Sequence, residues 1–326
     1  MRIGFRILAV AGLLAQPLLA AADDLGDCMS TIPAQAIPGC TTIIENRSHS
    51  VSGRAMALYF RGLTYQRKWD FDEAMADFNE SIALYPNAGA YFGRGTVHQD
   101  KHELEQSIAD LTHAIRLDPK MASAYRFRGL SYFYGHDNEH AIADFDEALR
   151  IDPKYAEAYW NRGQAHAAAR DQTAALADYS ALMQFEPTST SGYIRRASIF
   201  VILGNPSRAI ADSSKAMLAE PYNVTALTVR GNAYVAKGDF EHALDDYTAA
   251  ISFEPSFALV YHQRGVAYRM MGDREHAIDD FKMAVRLLPK DSPESRAELK
   301  ALGIELPMPQ PSGLTPLGKN LLDQLK

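Results

Sequence analysis

Along most of this chain, apolar residues recur every three or four positions, which is the spacing of one face of an α-helix. In residues 141–165, AIADFDEALRIDPKYAEAYWNRGQA, Ala141 is followed four positions later by Phe145, the separation of two residues on one helix face. Pro153 then follows, and proline ends a helix because it lacks a backbone donor and clashes with the preceding turn. The stretch therefore predicts the end of one helix, a stop at the proline and the start of another helix.

This pattern returns about every 34 residues. Successive prolines are separated by 33 residues once and by 34 residues five times, which defines seven units: Pro86, Pro119, Pro153, Pro187, Pro221, Pro255 and Pro289. In register, the first helix of each unit has an arginine and then a small residue: Gly62, Gly95, Gly129, Gly163, Ala197, Gly231 and Gly265. The second helix carries Ala74, Ser107, Ala141, Ala175, Ala209, Ala243 and Ala277, followed four residues later by Phe78, Leu111, Phe145, Tyr179, Ser213, Tyr247 and Phe281.

The small residue in the first helix has a mechanical explanation. A glycine in mid-helix costs about 1 kcal/mol relative to alanine. Its recurrence therefore indicates that a larger side chain would collide with the facing helix, while the aromatic residue of the second helix fills the wider gap one turn later. Between the two helices, Gly204, Gly238 and Gly272 fall where a helix C-terminus favours a left-handed residue. Tightly packed helix pairs are predicted.

These features resemble the tetratricopeptide repeat (TPR) family. The resemblance covers residues 55 to about 291 and rests on the small, alanine, aromatic and proline positions in stretches such as YFRGLTY and EAMADFNESIALYP. It implies an all-α fold, a right-handed α-solenoid of about seven helix-turn-helix units with an N-terminal disulfide-tied half-repeat and a C-terminal capping helix. Two repeats depart from the pattern, the second at Ser107 and Leu111 and the fifth at Ala197 and Ser213, which predicts looser packing there.

The expected boundaries follow from this register. They are a signal peptide (1–22), an N-terminal cap with a half-repeat (23–54), seven repeats (55–291), a capping helix (292–304) and a proline-rich tail with a short helix (305–326). The repeats are 55–87, 88–121, 122–155, 156–189, 190–223, 224–257 and 258–291. In the cap, Ala36 takes the alanine position and Cys40 the aromatic position, although Pro38 puts that helix in question. Ser292 is the expected N-cap of the capping helix, with Pro293 at its first position.

The first residues are typical of a secretory signal peptide. They contain two arginines, an apolar stretch of about 14 residues and the small residues Ala20–Ala22. That stretch is shorter than the roughly 20 residues that cross a bilayer, which favours a signal peptide over a membrane anchor. We therefore expect a periplasmic or secreted protein. An uncleaved anchor is the alternative. In an oxidising compartment Cys28 and Cys40, the only cysteines, are expected to form a disulfide. Lipid modification of Cys28 is disfavoured because Asp27 precedes it.

Two charged positions also recur. The first helices carry Arg61, Arg94, Arg128, Arg162, Arg196, Arg230 and Arg264, and the second helices carry Asp77, Asp110, Asp144, Asp178, Asp212, Asp246 and Asp280. We hypothesise that each arginine forms a partly buried ion pair with the aspartate of its own second helix, which fixes the register of the pair. The rival interpretation is a basic ladder that binds a ligand.

The sequence shows no glycine-rich phosphate loop, no nucleophile elbow and no paired-cysteine metal motif. The net charge of −7 without clustered Lys and Arg argues against a nucleic-acid surface. His98 and His102, at i and i+4, are the best metal candidates, but they lack an intervening Glu and a third ligand. His140, His242 and His276 share one repeat position and are assigned to the scaffold. We therefore expect no enzyme, no metal and no cofactor, and the oligomeric state stays open.

What remains is a protein-binding surface. The resemblance implies a concave groove lined by first-helix positions, here Tyr59, Phe60, Phe92, Arg126, Phe127, Phe133, Tyr134, Trp160, Ile194, Arg195, Val201 and Ile202. Aromatic and apolar residues with a few arginines are typical of hot spots for an extended peptide or a helix. The alternative is a structural role, in which half of these side chains pack between neighbouring repeats. We expect a protein-protein interaction scaffold or adaptor; the alternative is a regulatory or accessory subunit of a separate envelope enzyme complex.

Overall fold

A computed structural model describes residues 22–288 and 292–306. All regular elements in these residues are α-helices, which confirms the all-α fold built from helix pairs. The predicted signal peptide, except its last residue, and the tail beyond Leu306 lie outside the described residues. The chain divides into two compact units: unit 1 ends at Ile151 and unit 2 begins at Asp152.

Unit 1 consists of a two-helix cap and three helix pairs in chain order. The cap contains α1 (Ala22–Cys28) and α2 (Pro33–Glu45). The pairs are α3 (Val51–Arg67) with α4 (Phe71–Leu84), α5 (Ala88–Asp100) with α6 (Leu104–Leu117), and α7 (Ala122–Tyr134) with α8 (Asn138–Ile151). Each first helix also packs against the helix that precedes it, so the pairs form a continuous stack within this unit.

Unit 2 consists of four helix pairs and one final helix. The pairs are α9 (Ala156–Ala168) with α10 (Gln172–Phe185), α11 (Thr190–Ile202) with α12 (Pro206–Ala219), α13 (Val224–Lys237) with α14 (Phe240–Phe253), and α15 (Ala258–Met271) with α16 (Arg274–Leu287). The final helix is α17 (Pro293–Ala301), which packs against α16. Among the described residues, no helix combines the length and the apolar character needed to cross a bilayer.

The helices begin and end where the sequence carries matching signals. Asn223 caps α13, because its side-chain oxygen accepts a hydrogen bond from the backbone nitrogen of Ala226 at 2.9 Å. The second helices end two residues before the recurring proline; α14, for example, ends at Phe253 before Pro255. Local sequence therefore sets where the second helices end and where some helices begin, whereas other helices, such as α7 and α15, begin without a side-chain cap.

The turn inside each pair adopts a left-handed conformation. Gly204, Gly238 and Gly272 have φ values of 69°, 79° and 84°, as the sequence predicts. The same conformation occurs in four pairs where the residue is not glycine, namely Trp69, His102, His136 and Arg170, with φ between 59° and 66°. A bulky residue there costs roughly 1–2 kcal/mol relative to the right-handed region, so these turns are imposed by the packing of the pair.

The aromatic residue of the second helix lies directly over the glycine of the first. A Cβ placed on Gly231 would be 2.6 Å from the ring of Tyr247, which is too close for any side chain. In the fifth repeat Ala197 stands opposite Ser213, and both are fully buried. Ala197 also lies in a hydrophobic cluster with Phe200. Where the ring is absent the methyl group is accommodated, so the two departures from the pattern compensate each other.

Both ends of the chain differ from the repeats. A disulfide joins Cys28 to Cys40, as predicted, and α2 continues through Pro38. At the other end, Ser292 occupies the N-cap position of α17 but its hydroxyl makes no capping bond, contrary to expectation. Its Oγ lies instead 2.7 Å from the carbonyl oxygen of Leu288 and 3.2 Å from that of Ala284, because the last carbonyls of a helix lack intrahelical partners and accept from other donors.

Candidate functional site

The recurring arginines and aspartates meet inside each helix pair. Nε and Nη2 of Arg61 donate to the two carboxylate oxygens of Asp77 at 2.9 and 2.8 Å. The same two-pronged contact joins Arg94 to Asp110, Arg128 to Asp144, Arg196 to Asp212, Arg230 to Asp246 and Arg264 to Asp280, and Arg162 likewise binds Asp178. The aspartates are only 3–6% exposed, so they depend on these hydrogen bonds.

A third bond from the arginine reaches the preceding helix pair. In unit 1, Nη1 of Arg61 donates to Thr41, that of Arg94 to Asn79 and that of Arg128 to Thr112, at 2.6–3.0 Å. In unit 2 the acceptors for Arg196, Arg230 and Arg264 are Ser180, Ser214 and Thr248, at 3.1–3.4 Å. Sequence reasoning missed these acceptors, although a polar residue recurs two positions after nearly every recurring aspartate.

This arrangement assigns the arginines to the scaffold. The hydrogen bonds that Arg61 donates to Asp77 raise the pKa of Arg61 above its ordinary value, against the opposing effect of burial, and the guanidinium remains charged. The arginine side chains are 17–23% exposed and their donors point at protein acceptors. A basic ladder that binds a ligand is therefore not supported by the geometry.

The first helices of unit 1 lie side by side. Gln66 of α3 donates to Thr96 of α5 at 3.1 Å, and Gln99 of α5 donates to Ser131 of α7 at 2.8 Å. The first helices contact one another directly, whereas the second helices contact mainly first helices. Side chains on the free face of α3, α5 and α7 therefore belong to one surface.

Aromatic side chains occupy this surface, and we name it the aromatic strip: Tyr59, Phe60, Phe92, Phe127, Phe133 and Tyr134. Tyr59 and Phe60 are in ring contact at 5.2 Å, and Phe92 meets Phe127 edge to face at 5.4 Å. The guanidinium of Arg126 lies 4.3 Å from the ring centre of Phe127. The first five rings are partly buried, whereas Tyr134 is 53% exposed. Four of the partly buried rings, Tyr59, Phe60, Phe92 and Phe127, also pack against hydrophobic core clusters, so only part of each ring is open. Burial raises the pKa of Tyr59 to about 12, so its hydroxyl stays protonated.

The sequence and the structure now agree on the type of repeat. Models described as TPR repeat match residues 129–169 and 231–272, and models described as tetratricopeptide repeat match residues 55–88 and 88–121. The chain contains tetratricopeptide repeats. Comparison with curated protein sequences gives no match.

Solved structures provide a further comparison of the TPR fold. A chain of the APC/C hetero-tetramer Cut9–Hcn1 is similar in structure: the match covers 84% of this chain and 53% of that chain, at 13% identity and a TM-score of 0.58. YrrB, described as a TPR protein with an unusual peptide-binding site, matches 60% of this chain and 98% of its own, at 21% identity and a TM-score of 0.48. Yeast Tom70 matches 89% of this chain and 63% of its own, at 16% identity and a TM-score of 0.48. The Cut9–Hcn1 match supports the fold.

In unit 2 the predicted groove residues have different surroundings. Trp160 packs on Tyr179 of its own TPR pair at 5.7 Å, while Arg195 is exposed. Ile194 was expected in the groove, but it is 8% exposed and lies in the hydrophobic cluster of Ala197, so we omit it from the partner surface. The reason is that α13 packs closely against α11 and covers it. Of the two further positions, Val201 is partly buried and Ile202 is exposed.

The histidine candidates have local partners. Nδ1 of His98 lies 2.5 Å from a carboxylate oxygen of Glu103, and its Nε2 lies 3.7 Å from Asp110. His102 lies in a left-handed turn with φ of 59°. Within the described part of the chain, no group of three or more His, Cys, Asp and Glu residues is placed to hold a metal ion. The arrangement at His98 is a local hydrogen bond of the helix pair.

Proposed function

We propose that the chain is a non-enzymatic scaffold or adaptor whose aromatic strip binds a peptide or helix of a partner protein. Solenoid repeats use the extended surface along their first helices for binding, and such a surface engages polypeptides rather than enclosing a small substrate. The edge-to-face pair of Phe92 and Phe127, with Arg126 beside it, is the observation that carries this proposal. Aromatic residues and arginine dominate binding energy at protein interfaces.

The fold itself does not require aromatic residues at these positions. Phe92 and Trp160 occupy a first-helix position at which the sixth repeat has Thr228 and the seventh has His262. Both of those repeats form the same helix pairs as the others. Packing within a pair depends instead on the glycine and on the aromatic residue of the second helix. The repeat pattern therefore does not account for the ring of Phe92, which packs against the cluster of Leu111 but stays partly exposed, and we assign this exposed part to recognition.

We further propose that the protein acts outside the cytoplasm, in the periplasm or after secretion. The Cys28–Cys40 disulfide supports this location, because structural disulfides persist in oxidising compartments. The apolar stretch near the N-terminus supports it from the sequence, although it lies outside the described residues. The partner is then a protein of the cell envelope or of the exterior.

Affinity capture from an envelope fraction tests the proposal. The protein is compared with a Phe92→Ala, Phe127→Ala variant and with a Tyr222→Ala, Phe253→Ala control, which removes an exposed aromatic pair in unit 2. We expect one set of partners to be lost from the first variant and retained by the control. Identical partners from all three proteins would remove the aromatic strip from the account. A captured enzyme whose turnover changes on binding would favour the accessory-subunit alternative.

A further inference from the structure

A basic cleft lies at the end of unit 2, far along the chain from the aromatic strip. It has a volume of ≈ 290 Å³ and is lined by Lys282, Val285, Arg286, Arg296 and Leu306. Three of the five lining residues are cationic, in a chain whose net charge is −7. We name this feature the basic cleft.

Lys282 lies two positions after Asp280, where the other second helices carry a hydrogen-bond acceptor. Every earlier repeat, and the half-repeat, has an acceptor at the position of Lys282: Thr41, Asn79, Thr112, Asp146, Ser180, Ser214 and Thr248. Only the last repeat has a cation there. The repeat pattern and the packing of the pair therefore do not account for Lys282.

The charge of Lys282 has no opposite charge paired with it among the residues that the structure describes. The next first-helix arginine would fall at position 298, where the chain has Glu298, and its carboxylate binds Nε of Arg269 at 3.0 Å. Within residues 22–288 and 292–306, neither Lys282 nor Arg286 has an ion-pair partner. Arg296 of α17 also lines the cleft and has a further contact of its own.

The floor of the basic cleft is apolar. Val285 is 6% exposed and lies in the hydrophobic cluster that also contains Phe281 and Leu299. Leu306 packs against the same cluster. An inorganic anion gains nothing from such a floor, whereas an acyl or other apolar chain does. Cations at the rim favour a carboxylate through charge-assisted hydrogen bonds.

We propose that the basic cleft binds an organic carboxylate that carries an apolar chain. The carboxylate contacts Lys282 and Arg286, which lie one helical turn apart on α16, and the apolar chain covers Val285 and Leu306. This site is independent of the proposed partner surface in unit 1, and either can fail without the other.

Octanoate is a suitable probe, titrated into the ¹⁵N-labelled full chain while amide resonances are followed. We expect saturable shifts confined to α16, α17 and the residues up to Leu306, and none with octylamine. Lys282→Thr restores the residue type of the earlier repeats, so the variant should fold normally and bind octanoate at least tenfold more weakly. Lys154→Thr, which removes an exposed lysine elsewhere in unit 2, should bind like the parent protein.

Three results would overturn the proposal. The first is equal octanoate affinity in the parent and in Lys282→Thr. The second is equal affinity for inorganic phosphate and octanoate, which would leave the apolar floor without a role. The third is octanoate binding that occurs only after residues 307–326 are removed, because the cleft would then belong to the chain's own tail.

Discussion

Arg61 joins Thr41 of the cap to Asp77 of the first full repeat. Two of its nitrogens bind the aspartate at 2.9 and 2.8 Å, and Nη1 binds the threonine hydroxyl at 2.8 Å. One side chain thus holds both the two helices of a pair and the junction with the preceding helix. The corresponding contacts recur in both units, so this arginine explains how thin helix pairs, which cannot fold alone, are kept in register.

Replacing Arg61 should lower the free energy of unfolding far more than replacing its partner Thr41. Arg61→Met leaves the carboxylate of Asp77, which is 4% exposed, without compensation and should lower the free energy of unfolding by about 3 kcal/mol. Thr41→Val removes one neutral acceptor and should cost about 1 kcal/mol. Urea denaturation measures both. An equal loss in the two variants would contradict the assigned roles.

The glycine and the aromatic ring of a pair should be energetically coupled. Gly231→Ala forces a Cβ into the ring of Tyr247 and should destabilise the protein by roughly 1–3 kcal/mol. When Tyr247→Ser is also present the methyl group should cost little, because the fifth repeat already combines Ala197 with Ser213. A double-mutant cycle should therefore give a coupling energy above about 1 kcal/mol, and additive effects would refute the explanation.

The disulfide should stabilise the cap locally. Cys28 and Cys40 are 12 positions apart, and closing a loop of this size contributes about 3 kcal/mol in the chain-entropy account. In a Cys28→Ser, Cys40→Ser variant we expect faster hydrogen exchange in α1 and α2, with exchange in α15 and α16 unchanged. Uniform acceleration along the whole chain would show that the bond acts globally.

Two exposed aspartate–histidine pairs should make stability depend on pH. Asp239 and Asp273 bind Nδ1 of His242 and His276 at 2.8 and 2.7 Å. The aspartate bonds raise the pKa of both histidines, and bonds from the histidines lower the pKa of both aspartates. The histidine contribution is complete below the ordinary pKa of 6.5 and is lost as pH rises through the raised value. The aspartate contribution is present above the ordinary pKa of 3.8 and is lost on acidification.

The pairs therefore stabilise the fold most between these two ordinary values. A His242→Gln, His276→Gln variant should melt below the parent protein at pH 5.5, and the difference in melting temperature should shrink at pH 8.5. Calorimetry at the two pH values gives this comparison. A difference that grows with pH would have the wrong sign.

Much of the fold was predictable because each repeat carries the same local signals. The spacing of Pro86 and its counterparts and the position of Gly62 opposite Phe78 define the helix pairs without coordinates. The bond from Arg61 to Thr41 was not predictable, because it depends on how one pair is rotated against the next. Trp69 in a left-handed turn was also missed, since the packing of the pair overrides the local preference of the residue.

The candidate site was less predictable than the fold. Residues at equivalent repeat positions have different surroundings, because burial depends on the neighbouring helix. Phe92 and Ile194 share a repeat position and both pack against hydrophobic clusters, yet Phe92 stays partly exposed beside a ring of the next first helix, while Ile194 is only 8% exposed. A repeat register assigns a side chain to a helix face, but only the packing of the next helix decides whether that face is open.

The most direct test of the account is the affinity of a captured partner for the protein and two variants. Calorimetric titration would compare the parent chain with Phe92→Ala, Phe127→Ala and with the Tyr222→Ala, Phe253→Ala control, each first shown to be folded by circular dichroism. We predict that the first variant binds at least tenfold more weakly, about 1.4 kcal/mol, and that the control binds like the parent. Unchanged affinity in the first variant, or an equal loss in the control, would contradict the claim that the aromatic strip is the docking surface.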